Sequence, residues 1–449
     1  MTDLVVRGER VVLPSGQRAA SLLVRDGRIR SIGAYDDRPA AVRVLDAGSL
    51  VIIPGVVDTH VHLNDPGRAD WEGFETGTRA AAAGGVTTVV DMPLNSIPAT
   101  TSVDGLEAKI QAAQRRCAVD VGFWGGVVPG NAAALEPLAR RGVLGFKCFL
   151  APSGVDEFEH VGEGDLHDAL PVLARLDLPL LVHAELPAGL ITIDPARNPR
   201  DYRTWLISRP PASEHAAIEL LIRLAQEYRV HIHIVHLASA DAIETVRAAR
   251  RAGVRITVET CPHYLTFDAG SITEGATAFK CAPPIREARH REGLWSGLAA
   301  SDIDLVATDH SPAPPALKSI DVGDFVAAWG GIASIQLGLA AVWTGAAERG
   351  LTLEHVSRWL AAAPAELAGL SGRKGAIAPG HDADLVLFDP DASATVDPAA
   401  LFHRHPITPY AGMRLRGRVH KTLLRGEVVF DEGKFPSIGS GQLVLVPRS

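Results

Sequence analysis

Long apolar runs are missing from this chain: no stretch approaches the roughly 20 residues that a membrane-spanning helix requires, so a membrane partner is not expected. The opening "MTDLVVRGERVVLPSG" has neither a charged start nor an apolar stretch behind it, so no secretory leader is expected either. Cysteine is scarce. Cys117, Cys148, Cys261 and Cys281 are scattered without C-x-x-C spacing, which fits a reduced cytoplasmic setting better than a disulfide framework. Positive charge is also short, with 44 Lys and Arg against 52 Asp and Glu, a net charge of -8, and no basic stripe interleaved with aromatics. That balance argues against nucleic acid and anionic membranes as partners. No repeat of fixed period and no low-complexity tract occurs, so a solenoid is excluded. What remains is 449 residues, 47% hydrophobic and 21% charged, enough for one large catalytic domain and a smaller one.

The most informative segment is His60-Val61-His62-Leu63-Asn64, which follows the apolar run "SLVIIPGVVD". Residues i and i+2 of a strand share a face and lie about 6.5 to 7 Å apart, close enough for two imidazoles to hold one divalent ion. A bare H-x-H is common by chance, so its weight comes from other candidate ligands placed the same way. His183 closes "LPLLVHAE", His236 closes "VHIHIVHLAS" and Asp309 closes "IDLVATDHS". Lys147 lies inside "VLGFKCFL", an apolar run where an ammonium needs a reason to be.

These segments belong to eight short β-branched runs separated by helical patterns: "VVDTHV", "TTVVDM", "VDVGFWGG", "GFKCF", "LPLLVHA", "VHIHIVH", "RITVET" and "DLVATD". The alternation predicts a (β/α)8 barrel, whose strands converge at their C-terminal ends on one active-site mouth. In "VHIHIVH", alternation puts His236 on the face of Ile232 and Ile234 and puts His231 and His233 on the other. Position at the strand end selects His236 for the metal and leaves His231 and His233 structural. Two helices are clear: "WEGFETGTRAAAAGG", ended by glycines, and "SEHAAIELLIRLAQEY", with Ser213 as N-cap and a stripe at Ala217, Leu220, Leu221 and Leu224.

Both ends of the chain read differently. Segments 1–53 and 376–449 alternate apolar and polar residues between Gly-containing turns, which predicts one discontinuous β-sandwich domain with the barrel, 54–375, inserted in it. The expected architecture is therefore a (β/α)8 barrel with a smaller β-sandwich built from both termini.

Several long strings, in order, carry a resemblance: "IPGVVDTHVHLNDPGRADWEGFETGTRAAAAGGVTTVVDMPLNSIPATT", "GFKCFLAPSGVDEF", "VETCPHYLTF", "FKCAPPIR", "ATDHSP" and "GAIAPGHDADLVLFD". Together they resemble the cyclic amidohydrolases of the amidohydrolase superfamily along nearly the whole chain. The resemblance implies two divalent metal ions per chain, held by His60, His62, His183, His236 and Asp309, with a carbamylated Lys147 bridging them. Zinc heads the expectation, and the same N/O donor set accepts cobalt, manganese or iron. The lysine can be argued from chemistry as well: an ammonium offers only donors, whereas an amine that has captured carbon dioxide presents two anionic oxygens, enough to bridge two ions.

Two such ions lower the pKa of a shared water, so a metal-bridging hydroxide attacks a ring amide carbonyl and Asp309 passes the proton to the departing nitrogen. Dihydroorotases of the superfamily have an arginine two residues after the second histidine, for the substrate carboxylate; here Asn64 stands there. Dihydropyrimidinases and hydantoinases have a tyrosine five residues after the lysine; here it is Pro152. Both departures turn the expectation to allantoin, a neutral cyclic ureide with a ureido arm, opened to allantoate. Hydantoins with other 5-substituents and dihydropyrimidines stand second. A metal-free scaffold is the non-enzyme alternative, and the presence of all six ligand positions argues against it.

By resemblance Asn95 and the backbone from Cys281 to Ile285 face the substrate, with Asn64, Ser153 and Ser311 as further candidates; for each, satisfying a local turn is the competing role. His263 is either a support for the ligands or structural, and Arg286 and Lys318 read as solvated charges. Relatives imply a homo-oligomer, tetramer or dimer.

Overall fold

The computed structural model describes residues 3–37, 42–436 and 439–448. The first five strands, β1 (Leu4–Leu13), β2 (Gly16–Arg25), β3 (Arg28–Gly33), β4 (Arg43–Asp46) and β5 (Val51–Pro54), join three from the far end of the chain, β15 (Leu385–Thr395), β16 (Arg414–Leu424) and β17 (Glu427–Asp431). They make one eight-stranded sheet in the order β17-β16-β15-β5-β1-β2-β3, with β4 also paired to β1. Leu22 and Ile29 from one end of that order meet Leu385, Leu387 and Leu423 from the other in a single apolar core, so the sheet folds over on itself as a sandwich.

Between these halves run the barrel strands β6 (Val56–Val61), β7 (Val86–Asp91), β8 (Asp120–Phe123) with its short continuation β9 (Gly125–Gly126), β10 (Phe146–Phe149), β11 (Leu180–His183), β12 (Ile232–Ile234), β13 (Ile256–Thr260) and β14 (Leu305–Val306). All their pairings are parallel. The ring closes between its ends through a parallel bridge from Val61 to His310, where His62 N donates to His310 O at 2.8 Å. Counting β8 and β9 as one bent strand gives the eight of a (β/α)8 barrel. Val57, Val90, Leu181, Val235 and Leu305 fill its interior, while Ile232, Ile234 and Val258 pack outward with helix residues such as Leu221 and Leu224. The chain passes from sandwich to barrel at Gly55, where a Cβ would lie 2.2 Å from Thr87 Oγ1, so only glycine fits.

The helix expected at "SEHAAIELLIRLAQEY" begins earlier, at Pro211, and runs to Tyr228. Pro211 supplies the preset φ of the first helical position, and Ser213 is not the N-cap. Its hydroxyl instead donates to Leu186 O at 2.8 Å, tying the helix to the loop after β11. No helix among the described residues is long and apolar enough to cross a membrane.

A buried charge cluster links the barrel to the sandwich. Lys374 Nζ lies 2.6 Å from Asp120 and Asp384 and 3.0 Å from Asp382, and Arg425 pairs with Asp120 at 2.6 Å. Gln442 N also donates to Asp120, at 2.8 Å, which brings the C-terminal segment onto the start of β8. Lys374→Met removes the cation shared by the three carboxylates and leaves Asp384 buried without one, while Asp120 keeps Arg425 and Asp382 keeps Arg373. It is expected to destabilise the fold by roughly 3 to 5 kcal/mol, read from urea unfolding midpoints at an unchanged m-value.

Candidate metal centre and substrate cavity

Irregular backbone at the strand ends, rather than regular alternation, aims the candidate ligands. Along β6, Asp58 pairs with Val89 but Val61 pairs with Asp91, three residues against two, a bulge that brings the His60 and His62 rings to 5.5 Å between centroids. Asp58 fixes it from behind, accepting from His60 N at 3.2 Å and from Thr308 N and Oγ1 at 3.1 and 2.5 Å. Past the ends of barrel strands, four residues have positive φ: Asn64 at 62°, Asn95 at 66°, His236 at 40° and Asp309 at 46°. Such conformations are rare outside glycine and gather at sites where geometry is held by its surroundings.

His236 shows the consequence. Strand β12 ends at Ile234, and Ile232 and Ile234 face outward, so alternation alone would point His236 out of the barrel. The left-handed turn at His236 reverses that and brings it to the other histidines. Strand alternation therefore points His236 the wrong way, whereas its position at the strand end agrees with where its ring lies. His233 is the inward residue of β12, wholly buried and bonded to Glu259.

His60 Nε2 and His62 Nε2 lie 3.2 and 3.4 Å from Asp309 Oδ1. His183 Nδ1 and His236 Nε2 face each other at 3.0 Å, and the His60 and His236 rings are 5.4 Å apart, which joins the two groups. Three of the four imidazoles have their second nitrogen tied elsewhere: His60 Nδ1 to Glu259 at 2.5 Å, His62 Nδ1 to Asn95 Nδ2 at 3.4 Å, and His183 Nε2 to Glu185 at 2.7 Å. Arg209 holds Glu185 in turn at 2.6 Å. Lys147 is fully buried, and its Nζ has no hydrogen-bond partner among the described residues.

Burial lowers the pKa of His62, His183 and His236, which keeps these imidazoles neutral with a lone pair available. For Asp309 burial acts upward, but His60 and His62 outweigh it and hold the carboxyl below its ordinary range. Glu259 and Glu185 behave alike, each brought to about 2: burial is opposed by His60 and His233 for the first and by Arg209 and His183 for the second. Burial draws the Lys147 ammonium down to about 8. Neutral imidazoles, a carboxylate and an unpartnered buried amine suit a pair of divalent cations and a carbamate between them.

Above these groups opens a cavity of about 340 Å³. His60, His62, His183, His236 and Asp309 line its floor, and Phe149, Pro152, Trp205 and Trp329 form apolar walls. Phe149 stacks on His183 at 4.6 Å and 15°. Asn95, Ser153, Cys281 and Ser311 reach the cavity, as the sequence suggests. Ser153 has its hydroxyl engaged by its own turn, donating to Phe158 O at 2.5 Å. Cys281 is a buried thiol pushed up to about 12 by burial, so it contributes shape rather than a thiolate.

Asn64 departs from expectation: it does not line the cavity, and its left-handed turn leaves the amide buried with both polar atoms unpartnered among the described residues. Of the segment from Cys281 to Ile285 only Cys281 and Ala282 reach the cavity, because the carbonyls of Pro283 and Ile285 accept from Tyr264 and Tyr202. Arg286 and Lys318 are not solvated charges. Arg286 is buried against Glu214 at 3.2 Å, and Lys318 Nζ donates to the carbonyls of Trp329 and Gly331 at 2.9 and 2.8 Å. His263 is buried with both ring nitrogens unpartnered among the described residues.

Sequence reasoning missed Glu259, Glu185, Arg209, Lys280, Trp205 and Trp329. The two glutamates stand in "RITVET" and "LLVHAE", and the signal that singles out Lys147, a charge within a buried run, applies to them equally.

Comparison with known proteins gives one family match, the amidohydrolase family, over residues 51–429. The chain is 49% identical to an allantoinase of Streptomyces avermitilis, over 96% of either chain. It is 46% identical to an allantoinase of Arabidopsis thaliana, over 98% of this chain and 90% of the relative. Among solved structures, an L-hydantoinase (dihydropyrimidinase) from Arthrobacter aurescens superposes with a TM-score of 0.93 at 31% identity, covering 99% of this chain and 100% of that one.

Proposed function

The chain belongs to the amidohydrolase family, and from that premise we propose that it hydrolyses the ring amide of allantoin to give allantoate. The observation that carries the proposal is a cavity walled by aromatic side chains, with the neutral polar groups of Asn95 and Ser311 in its lining, above four histidines, Asp309 and the buried Lys147. We assign His60, His62 and Asp309 to one divalent ion, His183 and His236 to a second, and Lys147, as its carbamate, to both. Zinc is the proposed metal. When bound, the ions supply Lewis acidity toward water and toward the ring carbonyl.

The protein's own groups do the rest. Burial draws the Lys147 ammonium down to about 8, which raises the share of free amine that a carbamate would form from. Asp309 stays a carboxylate at the edge of the cavity, placed to accept the proton of the attacking water and return it to the ring nitrogen as the C–N bond breaks. Phe149, Trp205 and Trp329 line the cavity with apolar surface against which a flat ring can pack. Pro152 lines the wall and has no donor, so no side chain at that position assists the carbonyl oxygen.

The choice of allantoin over charged or plain rings rests on the lining. Arg209 is paired with Glu185, and Lys280 gives two of its three N–H bonds to Val326 O and Ala328 O, so the wall presents no unpaired guanidinium fork for a substrate carboxylate. Asn95 and Ser311 present neutral polar groups to a ureido arm. A plain hydantoin or dihydrouracil lacks that arm and leaves them unpaired, which costs about 1 to 3 kcal/mol per lost bond, or roughly 5- to 150-fold in rate. The test is kcat/KM across allantoin, hydantoin, dihydrouracil and dihydroorotate, with allantoin expected highest. A faster dihydrouracil or 5-alkyl hydantoin would favour the reading suggested by the hydantoinase structure and would leave the metal chemistry intact.

A further inference from the structure

Inside the barrel the parallel register sets Lys147 beside Leu181, Leu181 beside His233 and His233 beside Thr257 in one continuous row. Glu259 lies two residues beyond Thr257 on the same strand and therefore on the same inward face. Polar groups in this row form a chain. His231 Nε2 meets Thr257 Oγ1 at 2.8 Å, Thr257 Oγ1 meets His233 Nδ1 at 2.8 Å, and His233 Nε2 meets Glu259 Oε2 at 3.1 Å. Glu259 Oε1 then meets His60 Nδ1 at 2.5 Å and also accepts from the backbone N of His236 at 3.3 Å.

With each imidazole carrying a single proton, one arrangement satisfies every link. A carboxylate can only accept, so His60 donates from Nδ1 and His233 from Nε2. His233 Nδ1 is then an acceptor and takes the Thr257 hydroxyl proton, and Thr257 Oγ1 accepts from His231 Nε2. His60 is thereby left with Nε2, the nitrogen nearest Asp309, as its free coordinating atom. Nothing in the reaction calls for His231, Thr257 or His233, yet His233 and Glu259 are fully buried polar groups, costly to retain in a barrel core without a role.

We propose that Glu259 is a positioning residue for both halves of the metal centre. It fixes the ring tautomer of His60 and the backbone of His236, and it is itself oriented by the chain His233–Thr257–His231. The inference rests on the two-ion reading above. One side chain thus couples the ligands of the two ions, and its orientation is set by hydrogen bonds that begin outside the catalytic cavity.

The test uses the full-length protein with Glu259→Gln and Thr257→Val. An amide has one acceptor where the carboxylate has two, so in Glu259→Gln either His60 or His233 must give up its N–H bond. In the metal-free protein, proton NMR of ¹⁵N-histidine-labelled samples is expected to show two strongly downfield imidazole N–H resonances in the wild type and at most one in Glu259→Gln. Zinc affinity, measured by competition with a chromophoric chelator, is expected to fall about 10- to 100-fold in Glu259→Gln and several-fold in Thr257→Val. Thr257 touches no ligand, so a purely local packing role for Glu259 would leave Thr257→Val at wild-type affinity. Both downfield resonances kept in Glu259→Gln together with unchanged zinc affinity overturn the proposal. If Glu259→Gln fails to fold, wild-type zinc affinity in Thr257→Val overturns it instead. The resonances are read without metal, so a wild type that shows both but binds no zinc contradicts the two-ion reading and not the positioning chain.

Discussion

Lys147→Ala is expected to lower kcat/KM for allantoin by at least about a thousandfold and to reduce bound metal from about two ions per chain to one or fewer. The position explains the size of the effect. Lys147 is fully buried on β10, in register with Leu181, and its amine has no hydrogen-bond partner among the described residues. A buried amine without a partner gives the fold nothing that alanine would remove beyond packing, so stability should change far less than metal content. Short carboxylates such as acetate are expected to restore a fraction of activity by occupying the vacated bridge, and elemental analysis of the dialysed variant checks the metal directly. Full metal content in Lys147→Ala would exclude the lysine as a bridging ligand.

Asp309→Asn is expected to remove about two to four orders of magnitude of kcat, the range typical of a positioned general base, with KM changed only a few-fold. The substitution keeps the shape and deletes the negative charge that His60 and His62 face at 3.2 and 3.4 Å. Some metal is lost as well, because the same oxygen is a proposed ligand. Saturating the assay with zinc separates the two roles: restored occupancy with kcat still depressed is the expected result, and near-normal turnover would refute the proton-transfer role.

The barrel and the clustering of the candidate ligands were legible because the relevant signals are local. Strand runs such as "LPLLVHA" and "RITVET" carry β-branched residues between helical segments, and a histidine or aspartate closing such a run needs no tertiary information to be noticed. The walls of the cavity were not legible. Trp205 lies on a helix, Tyr202–Ser208, within a long connection, and Trp329 and Lys280 lie outside regular elements, so no periodicity fixes where their side chains go. His236 and Asn64 mark the limit of strand alternation as a guide: both have left-handed backbone just beyond a strand, which turned one side chain into the site and kept the other out of it. Lys318 and Arg286 read as surface charges because a lone cation in a polar loop usually is one. Here backbone carbonyls take up the first and Glu214 the second, inside the wall of the barrel mouth.

Whether this site opens the allantoin ring with two divalent ions is decided by following ¹³C-labelled allantoin by NMR with metal-stripped protein and with protein reconstituted with two equivalents of zinc. The expected result is no product from the stripped protein and stoichiometric allantoate, with no further cleavage, from the reconstituted one. Allantoin left intact by the reconstituted protein, or opened equally fast by the stripped protein, would contradict the proposed function.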